Sequence, residues 1–546
     1  MGPVSRRVFL AMGAAAVVAA CSDSDGEGAA TTGETTVPIT TAATTSTVPP
    51  TTVPPTTTTS TLAPLELSGD PFTLGVASGD PDATSVVLWT RLAPDPVAGG
   101  GMPDEDVPVV WEVSGTPDFA TIVANGVETA TSAHGHTVHA VADAHEGPCY
   151  FRFRAGQYTS PVGRTRAAPD TQADAGAATF AVANCQNYAN GMYAAHRDLA
   201  QHTPDFVVFL GDYIYEDPGP ADADPAQRVH LGAEPTTLVD YRNRYARYKS
   251  DPQLQAAHAV CPWFVIWDDH EVENNYASLI PQDPADAATF ADRRMAAYQA
   301  WWEHQPVRLE PPIAADQEYR IYREMRWANL IDLTLLDGRQ YRTDQGCGDV
   351  VLSLDPPCAD IVSPDRTMLG EAQEQWLYDS LAASTSKWNV IGNQVVFADA
   401  TLNGAVLNYD QWDGYPAERE RILQHLADNS VPNVIVLTGD IHLAAIAQLR
   451  AGDRATGTPV GAEFITTSIS SDGLINDQFT DVLKSYPHLI DAELTHRGYV
   501  LHTVTPERWI ADYRFVADVS NADSEVTSLG TYVVDAGTNI VTKVAQ

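Results

Sequence analysis

Residues 206–216 read FVVFLGDYIYE. A short Val/Phe run closed by a glycine is the pattern of a buried strand. The glycine lets the backbone turn sharply at the strand's end, and Asp212 and Tyr215 follow it. Four other stretches share this form: FAVANCQ (180–186), WFVIWDDHE (263–271), WNVIGNQ (388–394) and NVIVLTGDIH (433–442). They end in Cys185, in Asp269 and His270, in Asn393, and in Asp440 and His442. In open α/β sheets, ligands bind beyond the carboxyl ends of the strands. Strands that deliver Cys, Asp, Tyr, Asn and His to one edge build a metal cluster, and that cluster predicts an enzyme.

Between these runs lie helical patterns: GMYAAHRDLAQH (191–202), PADAATFADRRMAAYQAWWEHQ (284–305), GEAQEQWLYDSLAAS (370–384) and AERERILQHLAD (417–428). Alternation of this kind predicts layered α/β structure. The tail returns to strand-like text, in WIADYRFVADV, GTYVVDA and NIVTKVAQ, and is expected to add edge strands. Upstream, from about Pro71 to Ala168, short alternating runs predict an all-β sandwich of fibronectin type III or Ig-like form. His134, His136 and His139 fall there and read as surface residues of a strand. Residues 22–65 are Thr, Pro, Ala and Ser with almost no large apolar residue. They cannot bury a core and read as an extended tether.

Asp and Glu (71) exceed Lys and Arg (32), for a formal charge of −39. Such a surface repels nucleic acid, and no nucleic-acid-binding face is expected. Ser5-Arg6-Arg7-Val8-Phe9-Leu10 looks like a twin-arginine export signal. The apolar run Val8–Ala20 is too short to span a bilayer. Val18-Ala19-Ala20-Cys21 resembles a bacterial lipobox, which predicts a lipid anchor on Cys21 outside the cytoplasmic membrane; ordinary cleavage after an alanine is the alternative. Among the other cysteines, Cys347 and Cys358 flank a Pro-containing loop and are the candidate disulfide. Cys149 and Cys261 read as small buried hydrophobes. The expected divisions are 1–21 (signal and lipobox), 22–65 (tether), 66–170 (β-sandwich) and 171–546 (catalytic domain).

The chemistry concentrates at three strand ends. Asp212 and Tyr215 combine a carboxylate with a phenol, which suits a hard trivalent ion such as Fe³⁺. WDDHEVENNY (267–276) sets His270 among carboxylates, directly after an apolar run; a capped helix start is the plainer reading. Asp440 and His442 are two residues apart, so alternation puts both on one side of an extended chain.

The set NCQ, GDYIYE, WDDHEVENNY, LDGRQYR, RTMLGEAQEQWL, NQ and TGDIH, in this order, resembles the PhoD-type alkaline phosphatase/phosphodiesterase family of the calcineurin-like metallophosphoesterase fold class. The resemblance runs from about Pro71 to the end. It implies metallophosphoesterase-like layered sheets flanked by helices. It also implies iron held by Cys185, Asp212, Tyr215 and His442, beside calcium held by Asp212, Asp269, Asn393 and Asp440. Oxygen ligands where imidazoles usually sit favour hard ions.

The expected reaction is hydrolysis of phosphate esters by in-line attack of a metal-bound hydroxide, with cations offsetting the charge of the ester. His270 is placed at the leaving oxygen as donor. Arg339 is read either as a bidentate phosphoryl contact or as a structural ion pair with Asp337 or another carboxylate. Glu273, Asn274 and Asn275 are read as calcium ligands or as residues that shape the loop. Two alternatives stand beside this reading. One is a phospholipase D-like diesterase acting on envelope lipids or teichoic-acid-like polymers. The other is a non-enzymatic, calcium-binding surface lipoprotein.

Overall fold

Trp263–Val265, Phe206–Phe209 and Ala178–Ala183 lie side by side and parallel at the centre of a ten-stranded sheet. The computed structural model describes residue 67 and residues 69–544, except 225, 316, 351–353 and 474–478. The export signal, the tether and Cys21 lie outside the described residues. A second sheet has seven strands, with Ile331–Leu335, Trp388–Gly392, Val434–Thr438 and Thr458–Ile465 parallel at its middle.

One apolar core joins the two sheets. Phe180, Val207, Phe209 and Val265 of the first and Leu333, Val390, Ile435 and Phe464 of the second belong to it. Strands buried on both faces read as unbroken Val/Ile/Phe runs instead of alternating ones, which is why the sequence shows these strands so plainly. Helices Ala194–His202, Leu238–Lys249, Pro252–His258 and Phe290–His304 pack with the larger sheet, and Gly370–Ala383 and Pro416–Asp428 with the smaller. Leu238–Lys249 opens on a capping box between Thr237 and Asp240, a short-range signal that marks a helix start. None of the described helices is long and apolar enough to cross a membrane.

The tail strands Arg497–Val504, Arg508–Val516, Val526–Asp535 and Val541–Lys543 extend the large sheet on one side. Arg497–Val504 pairs directly with Ala178–Ala183, so the tail lies against the central strands as well as at the edge. On the other side the sheet continues into the β-sandwich. Val76–Gly79, Ser85–Arg91 and Thr137–Asp143 join it through Gly79 opposite Trp263. The remaining sandwich strands form a separate five-stranded layer, packed on the first through Val86, Leu88, Trp111, Phe151 and Phe153. The sandwich is therefore present, and one of its layers is shared with the ten-stranded sheet.

The histidines of this module are packed and not on the surface as expected. His139 stacks on Trp302 at 4.4 Å and hydrogen-bonds with the Gln305 carbonyl. His136 is buried against the Glu105 carbonyl. Cys149 and Cys261 are buried free thiols, and Cys347 and Cys358 form a disulfide.

Candidate metal centre

Parallel strands in both sheets end at a common edge, and the polar residues beyond them meet there. Three overlapping groups have ligand atoms within 4.8 Å of one another: Cys185, Asp212 and His442; Asp212, Asp269 and His270; and Asp268, Asp269 and Asp440. The large sheet supplies Cys185, Asp212, Asp268 and Asp269, and the small sheet supplies Asp440 and His442. The centre thus closes across the seam between them.

Backbone geometry, more than alternation, aims these side chains. Cys185, Asp212, Asp440 and His442 have φ of 53°, 57°, 63° and 57°. Left-handed backbone costs a non-glycine residue about 1–3 kcal/mol and persists where its surroundings enforce it. The enforcing contacts are hydrogen bonds between strand ends, such as Cys185 N–H to the Gly211 carbonyl (3.1 Å) and Gln186 N–H to the Asp212 carbonyl (3.0 Å). Two glycines permit the crowding. A Cβ on Gly211 would lie 2.5 Å from Asp268 Cβ, and one on Gly439 would lie 2.8 Å from Asn184 Cγ. Because Asp440 and His442 lie past the end of strand Val434–Thr438 in turned backbone, they do not share one target. Asp440 joins Asp268 and Asp269, and His442 joins Cys185 and Asp212.

Tyr215 Oη donates to Asp212 Oδ2 (2.7 Å) and lies 2.9 Å from His442 Nε2. His442 Nδ1–H donates to the Asp472 carbonyl at 2.6 Å, which fixes the tautomer and turns the Nε2 lone pair inward. His270 stacks on Tyr215 at 4.1 Å, and its Nδ1–H donates to Glu216 Oε2 at 2.6 Å.

Asn393 is buried at its strand end, with its amide hydrogen-bonded to the Val395 carbonyl, Thr438 Oγ1 and Trp412 Nε1. None of these bonds reaches the acidic residues. The loop 269–276 is irregular, without the helix start that its charges also allowed. Glu273 pairs with Arg293 and accepts from Gln282 N–H. Asn274 N–H donates to Glu216, and Asn275 N–H donates to Asp269 Oδ2 at 2.7 Å while its amide binds Asp349. In this arrangement all three shape the loop.

Of the two roles left open for Arg339, the structure realises the ion pairs. The side chain is 0% exposed and binds Asp268 and, at 2.7 Å, Asp410. Asp337 instead accepts from the Arg339 backbone N–H. The guanidinium is closed off from solvent, and its Nη2, without a hydrogen-bond partner among the described residues, lies 3.6 Å from both Asp269 and Asp440.

The electrostatics call for cations. Burial, followed by Asp212, Asp440 and Asp268, holds the Cys185 thiol well above its usual range. Burial also raises Asp212 and Asp268 well above the usual carboxylate range and Asp440 to about 6. Asp269 is different: burial opposes its charge, but Arg339 and His270 prevail and hold it low. Among the described residues, Asp212 Oδ1 and Asp268 Oδ2 are buried without a hydrogen-bond partner. Buried, unpartnered carboxylate oxygens are costly unless a cation meets them. The donor set therefore fits metal ions.

Several working residues stood in the quoted motifs without an assigned role. Asp268 is one and Glu216 is another. Glu271, in the same run, accepts three backbone N–H groups: Asp212 (3.0 Å), Tyr213 (2.5 Å) and Asp268 (2.8 Å). Its carboxyl, raised to about 8 by burial, locks the two strand-end loops together. Glu271→Gln turns one acceptor into a donor facing N–H groups. We expect activity to fall about 10- to 100-fold, as for loss of an outer-shell partner, with a lower Tm. Wild-type turnover and Tm in that variant would refute the locking role.

Comparison with known proteins follows the same outline. Residues 180–513 match the model of the PhoD-like phosphatase family, and residues 58–169 match that family's N-terminal domain. The chain belongs to the PhoD-like phosphatases. It is 45% identical over 478 residues to alkaline phosphatase D of Bacillus subtilis (strain 168), covering 85% of this chain and 81% of that protein. A solved structure of PhoD superposes with a TM-score of 0.83 at 43% identity, covering 88% of this chain and 93% of the other. As a PhoD-like phosphatase the chain is a phosphoester hydrolase, which sets aside the non-enzymatic reading.

Proposed function

We propose that this PhoD-like phosphatase is an exported, metal-dependent alkaline phosphatase and phosphodiesterase with iron and calcium in one cluster. The observation that carries the reading is the meeting of a thiol, a phenol, two imidazoles and four carboxylates across the seam of two sheets. Thiolate, phenolate and imidazole suit iron, so Cys185, Asp212, Tyr215 and His442 would hold it. Carboxylate and amide oxygens suit calcium, so Asp212, Asp269, Asn393 and Asp440 would hold that ion. Bound cations would neutralise phosphoryl charge and acidify water. Among the protein's own groups, Glu216 orients His270, whose far edge faces Asp212 and Asp269. There the imidazole would donate a proton to the leaving oxygen.

The scaffold is read as a calcineurin-like metallophosphoesterase fold, and the first module as fibronectin type III or Ig-like. The proposed domain limits are 66–170 and 171–546. A twin-arginine signal in 1–21, a lipid anchor at Cys21 and a tether over 22–65 would place the enzyme outside the cytoplasmic membrane. Support for this placement is the sequence pattern, and it favours esters found at the envelope.

Elemental analysis of natively exported protein should find iron together with calcium. Activity should fall on chelation and return with those ions. p-Nitrophenyl phosphate and bis-p-nitrophenyl phosphate, assayed side by side, separate monoesterase from diesterase action. Colourless protein that is fully active without iron would overturn the metal assignment.

A further inference from the structure

A phosphoryl group entering this centre meets carboxylates on a chain of net charge −39, so a protein cation at the mouth has work to do beside the metals. Arg339 and Arg342 are fully buried and held by Asp268 and Asp410. Arg497 is placed differently. It opens the strand Arg497–Val504, beside the strand that leads to Cys185.

Its Nη1 donates to the carbonyls of His442 (3.3 Å), Thr495 (3.4 Å) and His496 (3.1 Å). The guanidinium is thus anchored on a residue of the cluster itself. The residue is half-buried. Nε and Nη2 have no acceptor among the described residues, and no carboxylate there lies within 4.0 Å.

The segment 468–473 wraps this corner. Ser471 Oγ donates to the Cys185 carbonyl (2.8 Å), and the Asp472 carbonyl fixes His442. Gly473 comes next, where a Cβ would lie 2.4 Å from Arg497 Nη2. Any other residue at 473 would push the guanidinium aside. Its charged surroundings are led by Asp472 and Glu493, neither close enough to form an ion pair, and then by Cys185 and Tyr215.

We propose that Arg497 binds the substrate, its Nε and Nη2 donating to a non-bridging phosphoryl oxygen beside the Cys185–Tyr215–His442 corner of the centre. The assignment rests on the phosphoester hydrolase reading above. A planar guanidinium offers two parallel donors to phosphate, and a lysine offers only a point charge.

The test uses full-length, metal-loaded enzyme: wild type, Arg497→Lys, Arg497→Met and Gly473→Ala. Inorganic phosphate binding is measured by calorimetry, p-nitrophenyl phosphate turnover by steady-state kinetics, and metal content by elemental analysis. Loss of a charge-assisted hydrogen bond should raise the phosphate Kd of Arg497→Met about 10- to 100-fold, mainly through KM in turnover, with metal content unchanged. Arg497→Lys should fall between Met and wild type, and Gly473→Ala should shift the same way as Met. Unchanged phosphate affinity in Arg497→Met overturns the proposal, as does loss of metal from both Arg497 variants, which would make the residue a support for His442. A wild-type enzyme with no esterase activity overturns the function beneath it instead.

Discussion

Asp212→Ala should abolish stable metal binding and lower turnover roughly 10³-fold or more, beyond the about 10- to 100-fold that an outer-shell loss costs. Asp212 is the one residue shared by the thiol–imidazole group and the first carboxylate group. One of its oxygens accepts from Tyr215, and the other is buried with no hydrogen-bond partner among the described residues. Burial disfavours its charge, with Asp269, Asp268 and Glu271 adding to the penalty and His270 opposing it. A carboxylate in that setting weakens the metal-free fold. The expected consequence is a split in stability. Without metal, Asp212→Ala should be as stable as wild type or nearly so, because a strained acidic group has gone. With metal, wild type should gain Tm, as any protein does when a ligand binds only its folded form, and the variant should not. Chelator titrations followed by differential scanning fluorimetry read both quantities. A variant that keeps wild-type iron and calcium would remove Asp212 from the bridging position.

Part of this centre is legible in the amino-acid sequence. Cys185, Asp212, Asp269, Asp440 and His442 could be found because each follows an unbroken apolar run, and strands buried on both faces leave that trace. Their division into groups could not. Whether Asp440 and His442 face one point or two depends on φ values past the strand end, and no periodicity encodes those. Glu216, Asp268 and Glu271 stood in the quoted motifs, yet their roles depend on which N–H or imidazole each one meets across 54 to 71 residues of chain. Arg497 lay outside every motif. Only the pairing of its strand with Ala178–Ala183 brings it to the corner. The β-sandwich was legible as short alternating strands, whereas its continuity with the catalytic sheet rests on a single register pair at Gly79. Its histidines were misplaced for a similar reason: the helix Phe290–His304, whose Trp302 covers His139, is about 160 residues away in sequence.

The second large effect concerns His270. His270→Ala should lower kcat by roughly 10²- to 10⁴-fold while leaving bound metal in place, since the ring's firm contacts are Glu216 and the face of Tyr215. Glu216→Gln should cost less, about 10- to 100-fold, because an amide still occupies the Nδ1 side but no longer stabilises the charged ring. Size alone does not distinguish an acid from a residue that merely fills space, and the leaving group does. p-Nitrophenolate departs without needing a proton, whereas an alkoxide needs one in the transition state. If His270 supplies that proton, its removal should cost alkyl esters far more than p-nitrophenyl esters, and Glu216→Gln should follow the same order with smaller amplitude. Equal losses on both classes of ester would show that His270 holds the Asp212–Asp269 corner in shape and transfers no proton.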